Sequence, residues 1–207
     1  AALSYAHLAR AEYLAGAWHE ALVHIENAIA LTTESESDYL RSLVFGMAVV
    51  IPAARGEWAA AHTYADLAAA EASSYERAVA AAALAGAQLA AARDEPERVL
   101  DLLDPIRAMH PRQGIDEPGI WPWPELYADA LTALGRTAEA DAFLIPHELL
   151  AHRRRRASAI ARLARARGSL ESRAGRDSVA DQAFQLAAGQ IQRLAMPYEQ
   201  ALIELAH

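Results

Sequence analysis

Two stretches set histidines and a glutamate in an order that suggests metal chemistry: His19-Glu20-Ala21-Leu22-Val23-His24 and His147-Glu148-Leu149-Leu150-Ala151-His152. On a helix, histidines four apart turn both rings toward one zinc ion, with the glutamate as general base. Here they stand five apart. The extra residue adds about 100° of rotation and separates the rings. They read as surface histidines, and no metal-ligand set is assigned. Other catalytic sets fail at the level of residue type. The chain has no cysteine, no serine nucleophile elbow, no carboxylate pair of distinctive spacing and no glycine-rich phosphate cradle. All 19 basic residues are arginine, so a phosphate loop with its obligatory lysine is excluded. The expectation is a non-catalytic chain without a cofactor.

Arginine is concentrated in one place. Residues 153–176 hold nine arginines and one acid, Glu171, a net +8, which leaves −16 for the remainder of a chain whose total is −8. The run Arg153-Arg154-Arg155-Arg156 opens the segment. No aromatic residue interleaves Arg162, Arg165 and Arg173 for base stacking. The favoured reading is ion pairing with acids of neighbouring elements. The other is contact with an adjoining acidic domain or with DNA held by a fused reader. The acidic body argues against general nucleic-acid binding by this chain.

The most unusual local sequence is Trp121-Pro122-Trp123-Pro124. Tryptophan between prolines is stiff and presents an aromatic face at little entropic cost. It would serve either as a wall facing a ligand or peptide, or as a plug where a loop leaves the fold.

The elements that carry these residues follow from composition and period. Alanine supplies 52 of 207 residues, while valine, isoleucine, threonine and phenylalanine are sparse, which gives an all-α fold. A short phrase recurs five times: Gly or Asp, then Trp, Pro, Thr or Asp two residues on, then Ala or Val three residues after that. The copies begin at Gly16, Gly56, Asp94, Gly135 and Gly175, in steps of 40, 38, 41 and 40. A steady period of this kind means stacked helix pairs. The pairs are expected at about 3–33, 38–72, 75–109, 124–151 and 155–194, with a last helix at 197–207. Together they make eleven helices in a single domain over 1–207. Ser37 and Asp38 are cap candidates, and so are Ser73 and Ser74. Pro52 is expected to end or bend its helix early, Pro96 to open one, and Pro146 to kink one. Five of nine prolines fall in 105–124, the one irregular stretch. Trp18 and Trp58 occupy the repeat's own aromatic position and count as packing residues. No apolar run reaches the roughly 20 residues of a membrane span, no signal peptide is visible, and the expected location is the cytoplasm. The pattern begins and ends inside a repeat, which suggests a piece of a longer protein.

Laid out in register, the repeats resemble the tetratricopeptide family. Repeat one supplies Leu8, Ala9, Gly16, Trp18, Ala21, Ile25 and Ala28. Repeat two supplies Ala48, Gly56, Trp58, Ala61, Ala65 and Ala68, and repeat five supplies Gly168, Gly175, Ala180, Phe184 and Ala187. Repeats three and four match loosely, and the period departs from that family's usual length of about 34 residues. The longer period is similar to the tetratricopeptide-like sensor domain of large bacterial LuxR-type regulators, the MalT-like family. The most specific parts are Ala164-Arg165-Ala166-Arg167-Gly168-Ser169-Leu170, Ala174-Gly175-Arg176-Asp177 and Arg193-Leu194-Ala195-Met196-Pro197-Tyr198-Glu199-Gln200-Ala201.

This resemblance implies an α-α superhelix of about five helix pairs plus a terminal helix. It implies a small-molecule effector or a protein or peptide partner, and ATPase and DNA-binding domains elsewhere in the full-length protein. The alternative is a free-standing scaffold that captures peptides. In such repeats the first helix of each pair lines a concave groove. That register assigns Arg10, Tyr13, Gln88, Glu125, Asp129, Arg162 and Arg165 to the groove, besides Leu14, Val50, Ala53, Ala92 and Ser169. Trp121 and Trp123 join them as the aromatic wall. A groove apolar in its middle and charged toward its later end suits a small polar ligand or a peptide.

Overall fold

The computed structural model describes residues 1–33, 37–72, 75–110, 112 and 114–207. Every regular element among them is an α-helix, and there are twelve. The first pair is α1 (Ala2–Leu14) and α2 (Trp18–Thr33). Next come α3 (Asp38–Ala48), α4 (Val50–Ala54) and α5 (Trp58–Ala70), then α6 (Glu76–Ala92) with α7 (Pro96–Ala108). Then follow α8 (Trp123–Ala133) with α9 (Thr137–Arg153), α10 (Ala157–Arg173) with α11 (Asp177–Ile191), and α12 (Pro197–Ala206).

The twelfth helix arises from Pro52. Without an N–H it cannot bond the Ala48 carbonyl, and the helix expected over 38–54 breaks at Val49 into α3 and α4. Pro146 lies inside α9, which continues through it from Thr137 to Arg153. Pro105 lies inside α7, so the irregular stretch begins only after Ala108. Ser37 caps α3 by accepting from the Leu40 N–H. Ser73 and Ser74, the other cap candidates, lie outside the described residues.

The recurring phrase is a helix stop. Gly16, Gly56, Asp94, Gly135 and Gly175 all take the left-handed conformation, with φ between 59° and 80°. The next N–H then reaches back five residues: Ala17 to Glu12, Glu57 to Pro52, Glu95 to Ala90, Arg136 to Leu131 and Arg176 to Glu171, at 2.9–3.0 Å. These bonds satisfy carbonyls that a helix C-terminus leaves open. Asp94 bears a steric cost there that glycine avoids, moderated by its short polar side chain. The Ala or Val of the phrase is the first buried residue of the following helix. Ala21, Ala61, Val99, Ala140 and Ala180 are at most 4% exposed. Arg155, between α9 and α10, uses the same left-handed stop (φ 53°), with Arg156 N–H bonded to Ala151 O.

The chain divides into two compact units, residues 1–112 and 113–207. The division falls in the proline-rich stretch. In the first unit α1, α3 and α6 lie side by side, while α2 and α5 each pack on their own partner and on the next first helix. Small residues allow this. A Cβ on Gly46 of α3 would stand 3.1 Å from the Ala81 carbonyl of α6. The core joins Ala6, Ala9, Ile25, Ala28, Val44 and Ala48, and continues through Phe45, Val49, Ala61, Ala65 and Leu89. The buried Ser42 hydroxyl lies 3.0 Å from the Ala68 carbonyl and 3.2 Å from that of Ala78, tying α3 to the chain on either side of a turn. Trp18 stacks on Tyr13 and donates to the Tyr13 carbonyl. Trp58 is 42% exposed and packs over its own Gly56 turn, outside the core.

In the second unit α8, α10 and α12 are the adjacent first helices, backed by α9 and α11. Trp123 is 0% exposed and packs edge-on against Phe143, His147 and Tyr127. Ile115 from the irregular stretch is buried as well. Gly168 of α10 faces Phe184 of α11, where a Cβ would come within 2.5 Å of the ring. Gly189 of α11 has no such neighbour. In urea unfolding, Gly168→Ala is expected to lose about 1–3 kcal/mol through overpacking, while Gly189→Ala gains up to about 1 kcal/mol of helix propensity.

Candidate binding face

The charged residues assigned to a groove come together only in the second unit. Glu125 and Asp129 lie one turn apart on α8, and Arg162 and Arg165 one turn apart on α10. That register sets each arginine opposite a carboxylate. Arg165 makes a two-pronged pair with Asp129, at 2.5 and 3.4 Å. Arg162 donates from Nε to Glu199 of α12 at 2.8 Å, with Glu125 at 3.8 Å from the same nitrogen. Two-pronged pairing suits the planar guanidinium, and the chain has only arginine as a side-chain cation of fixed charge.

Burial differs along this row. Arg162 is 5% and Glu125 8% exposed, so both sit in the seam between helices and do not line an open groove as expected. The Arg165 and Asp129 side chains keep 17% and 28% of their surface and form the part that solvent reaches. Enclosure dominates the electrostatics. Burial pushes the Glu125 carboxyl up to about 7, against the pull of Arg162 and with a further push from Glu199. Burial also works to lower the Arg165 guanidinium, but the charge and hydrogen bond of Asp129 hold it above its usual range.

A second network lies on the opposite side of α10. Arg167 pairs with Glu148 through two 2.9 Å bonds, with Asp141, and with Glu171 at 3.4 Å. The hydrogen bond to Glu148 is the largest cause holding Arg167 above the usual guanidinium range. Glu171 also accepts from Arg176. Beside this network a cleft of about 280 Å³ opens between α9 and α11 over α10, walled by Ile145, Leu149, Leu163 and Leu186.

The remaining candidates are dispersed. Trp123 is enclosed, which makes it the plug of the two readings, and Trp121 is half-buried. In the first unit Tyr13 is taken up by Trp18, Arg10 is half-buried on the same helix, and Gln88 is half-buried on α6. Of the histidine pairs, His24 meets Glu12 at 2.7 Å and His147 packs on Trp123 and Phe143, while His19 and His152 are exposed. Among the described residues no three His, Cys, Asp or Glu are placed to hold a metal ion. In the arginine run, Arg154 and Arg156 both reach Glu117, at 3.8 and 3.2 Å. Glu199, Glu148 and Asp141 are the participants that sequence reasoning missed. Their signal was the surplus of arginine in 153–176, which required acids from elsewhere.

No family model matches the chain, and neither curated proteins nor solved structures give a match. No helix among the described residues is long and apolar enough to cross a membrane.

Glu125 gives the second unit a defined pH dependence. Its folded-state value lies above the unfolded one, so the folded form binds the extra proton and stability falls as pH rises from about 4.5 through about 7. Glu125→Gln mimics the neutral form. Its stability relative to the wild type, from urea unfolding, is expected to be near zero at pH 4 and to grow toward a ceiling of about 3 kcal/mol at pH 8. A double-mutant cycle of Asp129→Ala and Arg165→Ala is expected to return a coupling of about 1–3 kcal/mol, the double variant losing less than the sum.

Proposed function

We propose that this chain is a non-catalytic sensing or protein-interaction repeat domain of a bacterial LuxR-type transcriptional regulator, which holds a small effector or a partner on the first-helix face of its second unit. The observation that carries the reading is the row Glu125, Asp129, Arg162, Arg165 and Glu199, drawn from three adjacent first helices. An isolated helix pair has no use for charge at that seam, since apolar residues would fill it at lower desolvation cost. The sequence resemblance supports the same reading, being most specific over 157–207, where these arginines lie. The Asp129–Arg165 pair at the solvent edge offers a carboxylate and a guanidinium to a ligand carrying both charges, such as a zwitterion or a peptide end. Binding would bias how α8, α10 and α12 pack, and through them any domain attached to α12, a coupling between two sites.

A thermal-shift screen of small zwitterions and short peptides tests this. A ligand at about 100 times its Kd adds about 2.7 kcal/mol and raises Tm by several degrees. Arg165→Ala and Asp129→Ala are each expected to abolish the shift. A ligand whose shift survives both changes places the site elsewhere. Reading the gene beyond His207 tests the regulator itself: a helix-turn-helix region supports it, and a stop codon there favours the free-standing scaffold.

A further inference from the structure

Apolar packing at Ile203, an ion pair at Glu199 and the contacts of His207 with Asp181 and Phe184 are among the interactions that seat α12 on its unit. Ile203 is buried with Ala161, Ala164, Ala187 and Ile191. Glu199 lies on the inward side, its side chain 12% exposed, accepting from Arg162 at 2.8 Å. At the far end His207 Nε2 stands 2.8 Å from Asp181 of α11. A helix of 10 residues is not stable alone, so these contacts decide whether it stays.

Arg162 does not belong to Glu199 alone. Glu125 of α8 stands 3.8 Å from the same Nε. Two carboxylates share one guanidinium in an enclosed seam, which leaves one negative charge in excess unless a proton is taken up. The remaining charged groups around Glu125 are accounted for. Arg165 of α10 is held by Asp129, one turn along α8. On α9 the imidazole of His147 packs on Trp123, while Asp141 and Glu148 serve Arg167. Glu199 is the group that α12 itself brings.

We propose that α12 is a proton-controlled docking helix: a neutral Glu125 leaves Arg162 to Glu199 and α12 stays seated, and an ionised Glu125 contends for the same guanidinium and loosens α12. The inference stands on the geometry of α8, α10 and α12 and holds with or without a ligand on that face. Its direction follows from linkage. With α12 released, Glu125 gains water and also loses the repulsion of Glu199, so its carboxyl falls from about 7 toward its ordinary range. The seated form therefore holds the proton more tightly. Docking strengthens on acidification and weakens as pH rises through about 7. Each unit lost on release corresponds to about a tenfold change in the docking equilibrium.

Hydrogen exchange of the α12 amides, corrected for intrinsic rates and compared between pH 5.5 and pH 8, tests this. Imidazoles titrate in the same range, so the measurement is made in a His207→Gln background. Protection of α12 is expected to fall about tenfold or more between the two pH values, while α10 and α11 keep theirs. Adding Glu125→Gln is expected to hold α12 at its acid-form protection throughout. Adding Glu199→Gln instead removes the contention, so α12 is weakly protected at both pH values. Flat protection in the parent, or an undiminished fall in either added variant, overturns the proposal.

Discussion

The structure depends on a left-handed residue placed at regular intervals. At residues 16, 56, 94, 135 and 175 the backbone turns out of a helix, and an N–H reaches back five residues to close it. The turn is so short that the next helix must return alongside the last. Five residues beyond, a buried Ala or Val lets the two helices approach closely. Glycine fits this position because it has no Cβ to oppose positive φ. The repeat of about 40 residues is therefore the repeat of a backbone conformation, which fixes where the first helix of each pair ends and the second begins. α8 and α10, whose acids and arginines face each other, both end at such turns, at Gly135 and Gly175.

Within the second unit, charge takes over part of what apolar packing does in the first. α10 carries arginines on two opposite faces. One face pairs with Asp129, Glu125 and Glu199, and the other with Glu148, Asp141 and Glu171. Enclosed ion pairs add little net stability over an apolar seam, but removing one partner is costly. Each of α8, α9 and α12 brings a carboxylate to an arginine of α10: Asp129 to Arg165, Glu148 to Arg167 and Glu199 to Arg162. Glu125 is second in line for Arg162, and burial raises its affinity for a proton.

Helix positions were legible because period, turn glycine and alanine content agree. The paired helices stand within about three residues of their expected limits, and Pro96 opens α7 as expected. Side-chain fate was less legible. Trp58 has the same place in its phrase as Trp18, yet only Trp18 finds an aromatic neighbour, Tyr13, to stack against. For Trp123 the flanking prolines left a displayed wall and a buried plug both open, and only Phe143 and His147, from a helix some twenty residues on, decide for the plug by enclosing it. Register placed Arg162 and Glu125 on the correct helix face without revealing that the adjacent first helices close over them. That depends on the size of residues on three helices at once. Glu199 was passed over because, in sequence, it is an ordinary acid in the first turn of a short helix.

Alanine's place in these interiors has a thermal consequence. Ala61, Ala65, Ala68, Ala85 and their counterparts fill much of the core. Each such residue hides far less hydrocarbon than leucine would, while the peptide groups around it are hidden to the same extent. Unfolding then exposes a lower ratio of apolar to polar area. The heat capacity rises with the first and falls with the second, so its increment per residue should lie below the usual figure of about 12–15 cal/mol/K. The free energy of folding would then curve gently with temperature, with a broad, shallow maximum and a cold-unfolding limit displaced far below freezing.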